Sequence, residues 1–431
     1  MRGVAGRFAV DIEINGATYP IDNGQLLSLR LHETSLLLSP MAELLIEDRL
    51  NFLIELVPFT GTETVRLRLG VDETSLFDHE FIIYKGSARR SSSDSHTVKL
   101  YLVSKQCLGM FYPARFKSYT NSTISSIASA IASDLGLVIN QKGFENSVGS
   151  YDLFCPGWNY AQFLTWLAGQ TRSVSHNTAG FMVFVDLEGK LHFCSPEFVM
   201  AQNSVATIVS KDLRNPGKYD ESDLNQGPYD TFTNQLLLGT QGAYGTNLTY
   251  FDFMGTGARF VEEPMTVNGK SGVQTVHPTS GFTSPGHSRS AVAGTQLKGT
   301  ASNVSLLRSM LNQDTVVVDG GSISDAQNLA MTQASQEARI LRATNTLVSI
   351  KALIDGNMSI RAGTSVMFEI NSPHPKAMRN QTFSGKYIVE RVTHQIVPSY
   401  ATQLFCFRSG IGGADNNDLL TPPGGLLTGD K

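Results

Sequence analysis

The sequence predicts a mainly β protein with an α+β module: two similar antiparallel β-barrel (tube) domains flanking a small α+β domain. Three observations carry this. Apolar and polar residues alternate with period two through both ends of the 431-residue chain. Between the ends the apolar spacing changes to three and four, the period of a helix. The strand patterns of the two ends also repeat in the same order.

The first barrel is expected over residues 1–105. "FAVDIEI", "LLSLRLHE", "AELLIED", "ETVRLRLG", "HEFIIYKG" and "TVKLYLVS" alternate and are separated by Gly, Asn, Asp and Ser. The run "LNFLIELVPF" reads either as a short helical turn or as a buried strand.

The α+β domain is expected over residues 106–200. Ile124, Ile127, Ala128, Ile131, Ala132 and Leu135 form one stripe, with Ser122 or Thr123 as cap and Gly136 as terminator. A second helix begins at Asn159 and places Phe163, Leu164 and Leu167 on one side, with Trp166 beside them. Two strands then flank a Leu187-Glu188-Gly189-Lys190 turn, which makes a hairpin.

The second barrel is expected over 201–409, interrupted by a long loop insertion around 215–335. "NQLLLGTQG" and "NLTYFDF" read as strands. From Pro264 to Gln313 there is no Asp or Glu, and "HPTSGFTSPGHSRSAVAGT" is too polar and Gly-rich to pack a core. A helix is expected from Ser324 to Ala343, with Leu329, Ala330, Ala334, Ala338 and Leu341 along one side. Strands return with "NTLVSIKAL", "TSVMFEI", "GKYIVERVTHQI" and "TQLFCFRS". Residues 410–431 are rich in Gly, Pro and Asp and are expected to be a flexible tail.

The repetition is an ordered triple. Gly61–Gly70 parallels Gly363–Asn371, His79–Gly86 parallels Gly385–Val392, and Thr97–Ser104 parallels Thr402–Ser409. It implies two similar barrels, one of them assembled from the two ends of an interrupted segment.

Bulk composition narrows the function classes. A net charge of −4 gives no global attraction for nucleic acid or anionic membrane. The first residues lack the apolar core of a signal peptide, and no apolar run reaches the length of a membrane span. The four cysteines (Cys107, Cys155, Cys194 and Cys406) form no C-x-x-C pair, which fits a reducing compartment. The N-x-S/T sequons such as Asn121 and Asn247 then carry no meaning.

The barrel–module–barrel order resembles the central baseplate hub of contractile-tailed bacteriophages. It also resembles the N-terminal half of type VI secretion spike proteins, the VgrG and late-control D relatives. The residues that carry the resemblance are "AELLIEDRLNFLIELVPFTGTETVRL" (Ala42 to Leu67), "TISSIASAIASDLGL", "NYAQFLTWLAGQTR", and "IRAGTSVMFEI" followed by "GKYIVERVTHQI". Together they cover most of the chain outside roughly 205–335. The resemblance implies a homotrimer, with a tail tube protein, a central spike protein and other baseplate proteins as partners. It implies DNA passing through the lumen, no membrane insertion, and residence in the virion after assembly in the host bacterial cytoplasm. In the spike proteins an oligonucleotide-binding-type barrel and a β-helical needle follow. Here about twenty Gly- and Pro-rich residues follow "LFCFRSG", so the expectation is a hub whose spike is a separate protein.

The enzyme motifs G-x-x-x-x-G-K-[ST], H-E-x-x-H and G-x-S-x-G do not occur. No catalytic, cofactor-binding or metal-binding residue is assigned. His277 and His287 read as loop histidines, and "TVVVDGGSISD" reads as a strand-to-helix connection ahead of a ligand-binding turn. Glu145 and Asp152 are two among many carboxylates that a glycosidase would need in a pair, and Trp158 and Trp166 read as core. A virion-associated or secreted β-rich hydrolase would require convergent acids or a Ser/His pair. A carbohydrate-binding protein would favour exposed aromatics and a signal peptide. The partner-binding candidates are two groups. Lys270, Arg289, Lys298 and Arg308 make a local basic patch suited to an acidic surface on a neighbouring subunit or baseplate protein. Leu419, Leu420, Leu426 and Leu427 are paired apolar anchors in the tail, suited to a pocket on the spike.

Overall fold

A computed structural model describes residues 7–14, 17–22, 24–49, 53, 62–70, 75–90, 95–176, 178–210, 223–226, 229–230, 246–252, 259–265, 302–308, 316–318, 321–323, 331, 334–335, 338, 342, 348–370, 383–397 and 399–408.

The N-terminal strands are β1 (Arg7–Ile14), β2 (Ala17–Ile21), β3 (Leu26–Thr34), β4 (Met41–Arg49), β5 (Thr64–Gly70), β6 (Ser75–Arg90) and β7 (Ser95–Ser104). They pair antiparallel in the order β2-β1-β5-β6-β7-β4-β3. The alternation has its expected physical result. Ala42, Leu44 and Ile46 of β4 turn inward onto Leu29, Leu31, Val65, Leu67, Phe81, Leu100 and Leu102, while the residues between them face out. Of the run "LNFLIELVPF" only Leu53 is described; it is buried, and its N–H donates to both Asp48 carboxylate oxygens at 3.0 Å.

The middle of the chain forms α1 (Leu108–Phe111), β8 (Arg115–Ser122), α2 (Ile124–Asp134), β9 (Val138–Phe144), β10 (Tyr151–Trp158), α3 (Tyr160–Gln170), β11 (Met182–Val185), β12 (Lys190–Cys194) and α4 (Pro196–Ala201). α2 buries five of the six residues of its apolar stripe, and Leu135 packs partly buried at its end. Its cap is Thr123, whose hydroxyl accepts from the Ser126 N–H at 3.1 Å. Gly136, at φ +69°, takes the left-handed turn that stops it. α3 is capped by Asn159 in a reciprocal box with Gln162. Both helices close over one core with Phe181, Val183, Leu191 and Phe193 of the β11–β12 region. β12 also pairs β9 in parallel, and β8 and β10 form a separate antiparallel ribbon.

The remainder contains β13 (Thr207–Ser210), β14 (Asp223–Gln226), β15 (Tyr229–Asp230), β16 (Thr246–Asp252), β17 (Arg259–Met265), β18 (Ser302–Arg308), β19 (Val316–Val318), β20 (Gly321–Ile323), β21 (Val348–Asp355), β22 (Ser365–Glu369), β23 (Gly385–Val397) and β24 (Ala401–Arg408). The insertion expected around 215–335 carries strands where its residues are described. Its described residues include β14 and β15, a sheet of order β17-β16-β18, and the antiparallel pair β19–β20. The stretch "NVSLLR" is hidden in sequence by its polar neighbours, yet β18 runs parallel to β16 over seven register pairs. Val318 pairs Gly321, so "TVVVDGGSISD" holds a hairpin and is no strand-to-helix connection. In the expected helix from Ser324 to Ala343, Met331, Ala334, Ser335, Ala338 and Arg342 are helical, and Met331, Ala334 and Ala338 are buried. Leu329, Ala330 and Leu341 lie outside the described residues.

The mainly β fold with its α+β module is as expected, with sheets that are not closed into a barrel. The terminal strands make one 14-stranded sheet, ordered β15-β21-β14-β13-β22-β23-β3-β4-β7-β6-β5-β1-β2, with β24 pairing β21 and β23. The join is β3 against β23, antiparallel from Arg391↔Thr34 to Val397↔Leu29. β23 is long enough to pair β22 with its first residues and β3 with its last.

Candidate assembly surfaces

Within this sheet a five-stranded unit occurs twice. β3, β4, β5, β6 and β7 correspond in chain order to β14–β15, β21, β22, β23 and β24. The correspondence extends to registers. Leu26↔Ile46 and Ser28↔Leu45 match Leu224↔Ile354 and Gln226↔Leu353, with the same irregularity between them. Val65↔Phe81 matches Val366↔Tyr387. Ile83↔Leu102 followed by Lys85↔Tyr101 matches Val389↔Cys406 followed by Arg391↔Phe405, so Tyr84 and Glu390 are bulged at the same place. The Ile83 N–H donates to the Glu63 carbonyl at 3.3 Å, as the Val389 N–H does to the Thr364 carbonyl at 2.9 Å. The echo between His79–Gly86 and Gly385–Val392 holds position for position. The third echo is one residue out: Val103, paired with Ile82, matches Phe407, paired with Ile388.

A buried carboxyl lies at the join between the two units. Glu33 of β3 is fully buried, and its Oε2 lies 3.7 Å from Nη1 of Arg361, in the β21–β22 connection. The other Arg361 nitrogen, Nη2, lies 3.5 Å from Oε1 of Glu188, in the β11–β12 turn. One guanidinium thus lies between carboxylates of the N-terminal strands and the helical module, on a connection of the C-terminal strands. Burial raises the Glu33 carboxyl to about 8 against the opposing pull of Arg361. Nearby His394 of β23 is also buried and is lowered to about 3, chiefly by desolvation. Its Nδ1 is 3.2 Å from the Thr402 hydroxyl.

Glu145, Asp152, Asp186 and His192 of the module are held in hydrogen bonds within the fold. Glu145 is buried and accepts from the Ser195 N–H at 2.9 Å, the Ser195 hydroxyl at 2.7 Å and the Ser173 hydroxyl. Asp152 accepts from the Asn121 N–H at 2.8 Å. Asp186 accepts from the Glu188 and Lys190 amides, both at 2.9 Å, and its Oδ2 is 2.9 Å from Nε2 of His192, so the pair braces the hairpin turn. All four cysteines are free and buried. Among the described residues, no group of three His, Cys, Asp or Glu side chains could hold a metal ion, and no helix is long and apolar enough to cross a membrane.

Apolar surface lies where the β3–β4 turn meets α3. A groove of about 810 Å³ is lined by Leu36, Leu37, Leu38, Phe111, Trp158 and Trp166. Trp166 stacks on Phe163 at 5.9 Å between ring centroids, as core packing requires, whereas Trp158 stands edge-on to it and is partly exposed. On the β8–β10 ribbon Phe116 and Phe154 are exposed beside each other. The sequence reading did not single out these surfaces, because single aromatics in alternating strands look alike on either face.

The partner-binding candidates fall differently. Lys270, Arg289 and Lys298 lie outside the described residues, as do His277, His287, Leu419, Leu420, Leu426 and Leu427. Arg308 closes β18, with its backbone opposite Asp252.

No family model matches the chain, and no curated protein matches it. Solved structures do. The tail protein from Neisseria meningitidis MC58 is similar over 94% of this chain and 98% of its own, at 11% identity and a TM-score of 0.51. The 43 kDa tail protein of prophage MuSo2 from Shewanella oneidensis is similar over 94% of this chain and 99% of its own, at 10% identity and a TM-score of 0.53. At such identity the likeness is one of fold, and it spans nearly the whole of all three chains: this protein has the fold of those tail proteins.

Proposed function

We propose that this chain is the structural hub of a tail baseplate. Three copies form a ring that joins the tail tube to the central spike, and the ring adapts six-fold to three-fold symmetry. The observation that carries the reading is the duplicated five-stranded unit with its shared bulges, set in a fold shared with two tail proteins. A six-fold tube needs six similar contact sites, and a three-fold spike needs three. Three chains with two like units each supply both. The role is one of packing and geometry, with no reaction assigned. The tube protein, the spike protein and other baseplate proteins are the partners, DNA passes through the lumen, and the ring sits in the virion tail. Native mass tests this first. A species near three times 46.8 kDa is expected, with six similar densities around the ring in an averaged image. A stable monomer would overturn the proposal.

A further inference from the structure

The two like units do not have like neighbours. In the C-terminal unit the last part of β23 is covered by β3 of the N-terminal unit: Thr393↔His32 and His394↔Leu31 are register partners. The bulge carbonyl of Glu390 receives the Ser35 N–H at 2.8 Å at the end of this pairing. The matching part of β6 follows the matching bulge at Tyr84. There β7 pairs one edge as far as Arg90, but β5 stops opposite Ile82. The other edge of residues 84–89 meets no strand among the described residues, and these residues are exposed. The matching counterpart of β3 is β14–β15. Its β15 pairs β21 and ends the sheet path, so its second edge also meets no strand among the described residues.

An edge of half-paired backbone groups is a template for another strand. The chain holds one socket, β6 at 84–89, and one plug, β15, each the equivalent of a partner already joined inside the chain. We propose that β15 of one copy adds to the β6 edge of the next, in the register that the internal join dictates. Asp230 then lies opposite Ser87, and Tyr229 opposite Ala88. The occupant is a second copy, because the register that fits the socket is already written in this chain. Lys85 and Arg89 on the edge are the kind of charges that keep a bare strand from unspecific pairing. With three internal joins and three between copies, the sheet runs unbroken around a closed ring. This inference rests on the trimeric hub reading and adds its contact.

The test is disulfide trapping. Register partners on antiparallel strands have Cα atoms about 4.5–5.5 Å apart, inside the range that a disulfide spans. Chains carrying Ser87→Cys are mixed with chains carrying Asp230→Cys, and Ala88→Cys with Tyr229→Cys, then treated with diamide. Covalent dimers are expected only in the mixtures. The double variant Ser87→Cys/Asp230→Cys should give a covalent trimer, and Arg89→Cys with Asp230→Cys should trap poorly. The native cysteines are buried, so the wild type should stay uncrosslinked. A trimer by native mass that traps at neither pair, or traps best off register, overturns this contact and leaves the hub reading standing. A monomer overturns both. Should a cysteine variant fail to fold, hydrogen exchange on wild type gives a second measurement: every amide from Lys85 to Arg89 should be protected in the trimer. Free exchange of alternate amides there, in an intact trimer, overturns the pairing.

Discussion

Glu33→Gln should change how the whole protein responds to pH. Glu33 is fully buried at the β3–β23 join, opposite Val392, with Arg361 too far at 3.7 Å to share a hydrogen bond. Its carboxyl titrates near 8 in the fold, against 4.5 as its ordinary value, because burial disfavours the charge. The folded state therefore binds a proton that the unfolded chain releases over that window. Stability is greatest at or below pH 4.5 as far as this group is concerned, falls as pH rises, and has lost the full contribution above pH 8. The gap corresponds to about 5 kcal/mol as a ceiling. Glutamine keeps the shape and carries no charge to bury. Thermal melts of wild type and Glu33→Gln should coincide near pH 5 and separate by several degrees at pH 9, with the variant the more stable. Arg361→Met removes a positive charge that favours the carboxylate, so it should steepen the alkaline loss of wild type and leave Glu33→Gln little changed. Parallel melting curves for wild type and Glu33→Gln from pH 5 to 9 would show that Glu33 does not take up this proton, and would refute the reasoning.

Three further perturbations follow from burial and composition. Ile131→Asp places an unpaired charge in the core shared by α2 and α3, where Ile131 is fully buried, and should cost several kcal/mol; a soluble trimer with unchanged melting temperature would contradict it. His79 is buried, 2.7 Å from the Ser104 hydroxyl, and burial lowers it to about 4. The neutral ring is the form the fold keeps, so its stabilisation is complete above pH 6.5 and lost as pH falls to 4; Asn in its place should flatten the acid side of the melting profile. Truncation after Gly410 removes both leucine pairs and should leave the trimer intact while weakening capture of the spike protein; undiminished capture would move that contact to the strands.

How much of this was legible depends on which force decides each element. α2 and α3 were readable because apolar spacing, Thr123, Asn159 and Gly136 all act within a few residues. The strands were readable because burial on one face imposes period two. That phase turns Glu33 inside with Leu29 and Leu31 against its acidity, which the sequence reading left unnoticed. The join of β3 to β23 was not readable, since it is made by backbone groups that every residue carries. The parallel pairing of β9 with β12 was hidden for the same reason. Arg408 is the sharpest case. At the end of an alternating strand it reads as solvent-facing. It is fully buried, with its guanidinium 4.5 Å from the Tyr387 ring centre and donating to the Ser384 carbonyl at 2.8 Å. Only a partner distant in sequence could have revealed that.

The insertion supplies the last prediction. In the N-terminal unit β3 passes to β4 through the short turn Ser35–Pro40; in the C-terminal unit the same connection, β15 to β21, contains residues 231–347. Yet the two registers are the same across it, Leu31↔Ala42 matching Tyr229↔Ile350. The closure cost of a loop grows only with the logarithm of its length, so a unit already held by four strand pairings tolerates such an addition. β16–β18 and β19–β20 pair only among themselves, with no strand bond to the large sheet among the described residues. Residues around Met331 to Ala338 are different: Met331 joins the core of the module, and Ala338 lies so close to Gly180, at φ +93°, that any side chain there would strike it. Replacing 231–323 with a short Gly/Ser linker, while keeping the helix that follows, should therefore preserve the sheet. Closure becomes easier by about 1 kcal/mol. The expected result is a soluble trimer whose melting temperature matches wild type within a few degrees and which still traps at Ser87 and Asp230. Loss of the trimer, with the monomer still folded, would place the contact between copies in the insertion. Loss of folding would show that β16–β20 supports the unit it interrupts.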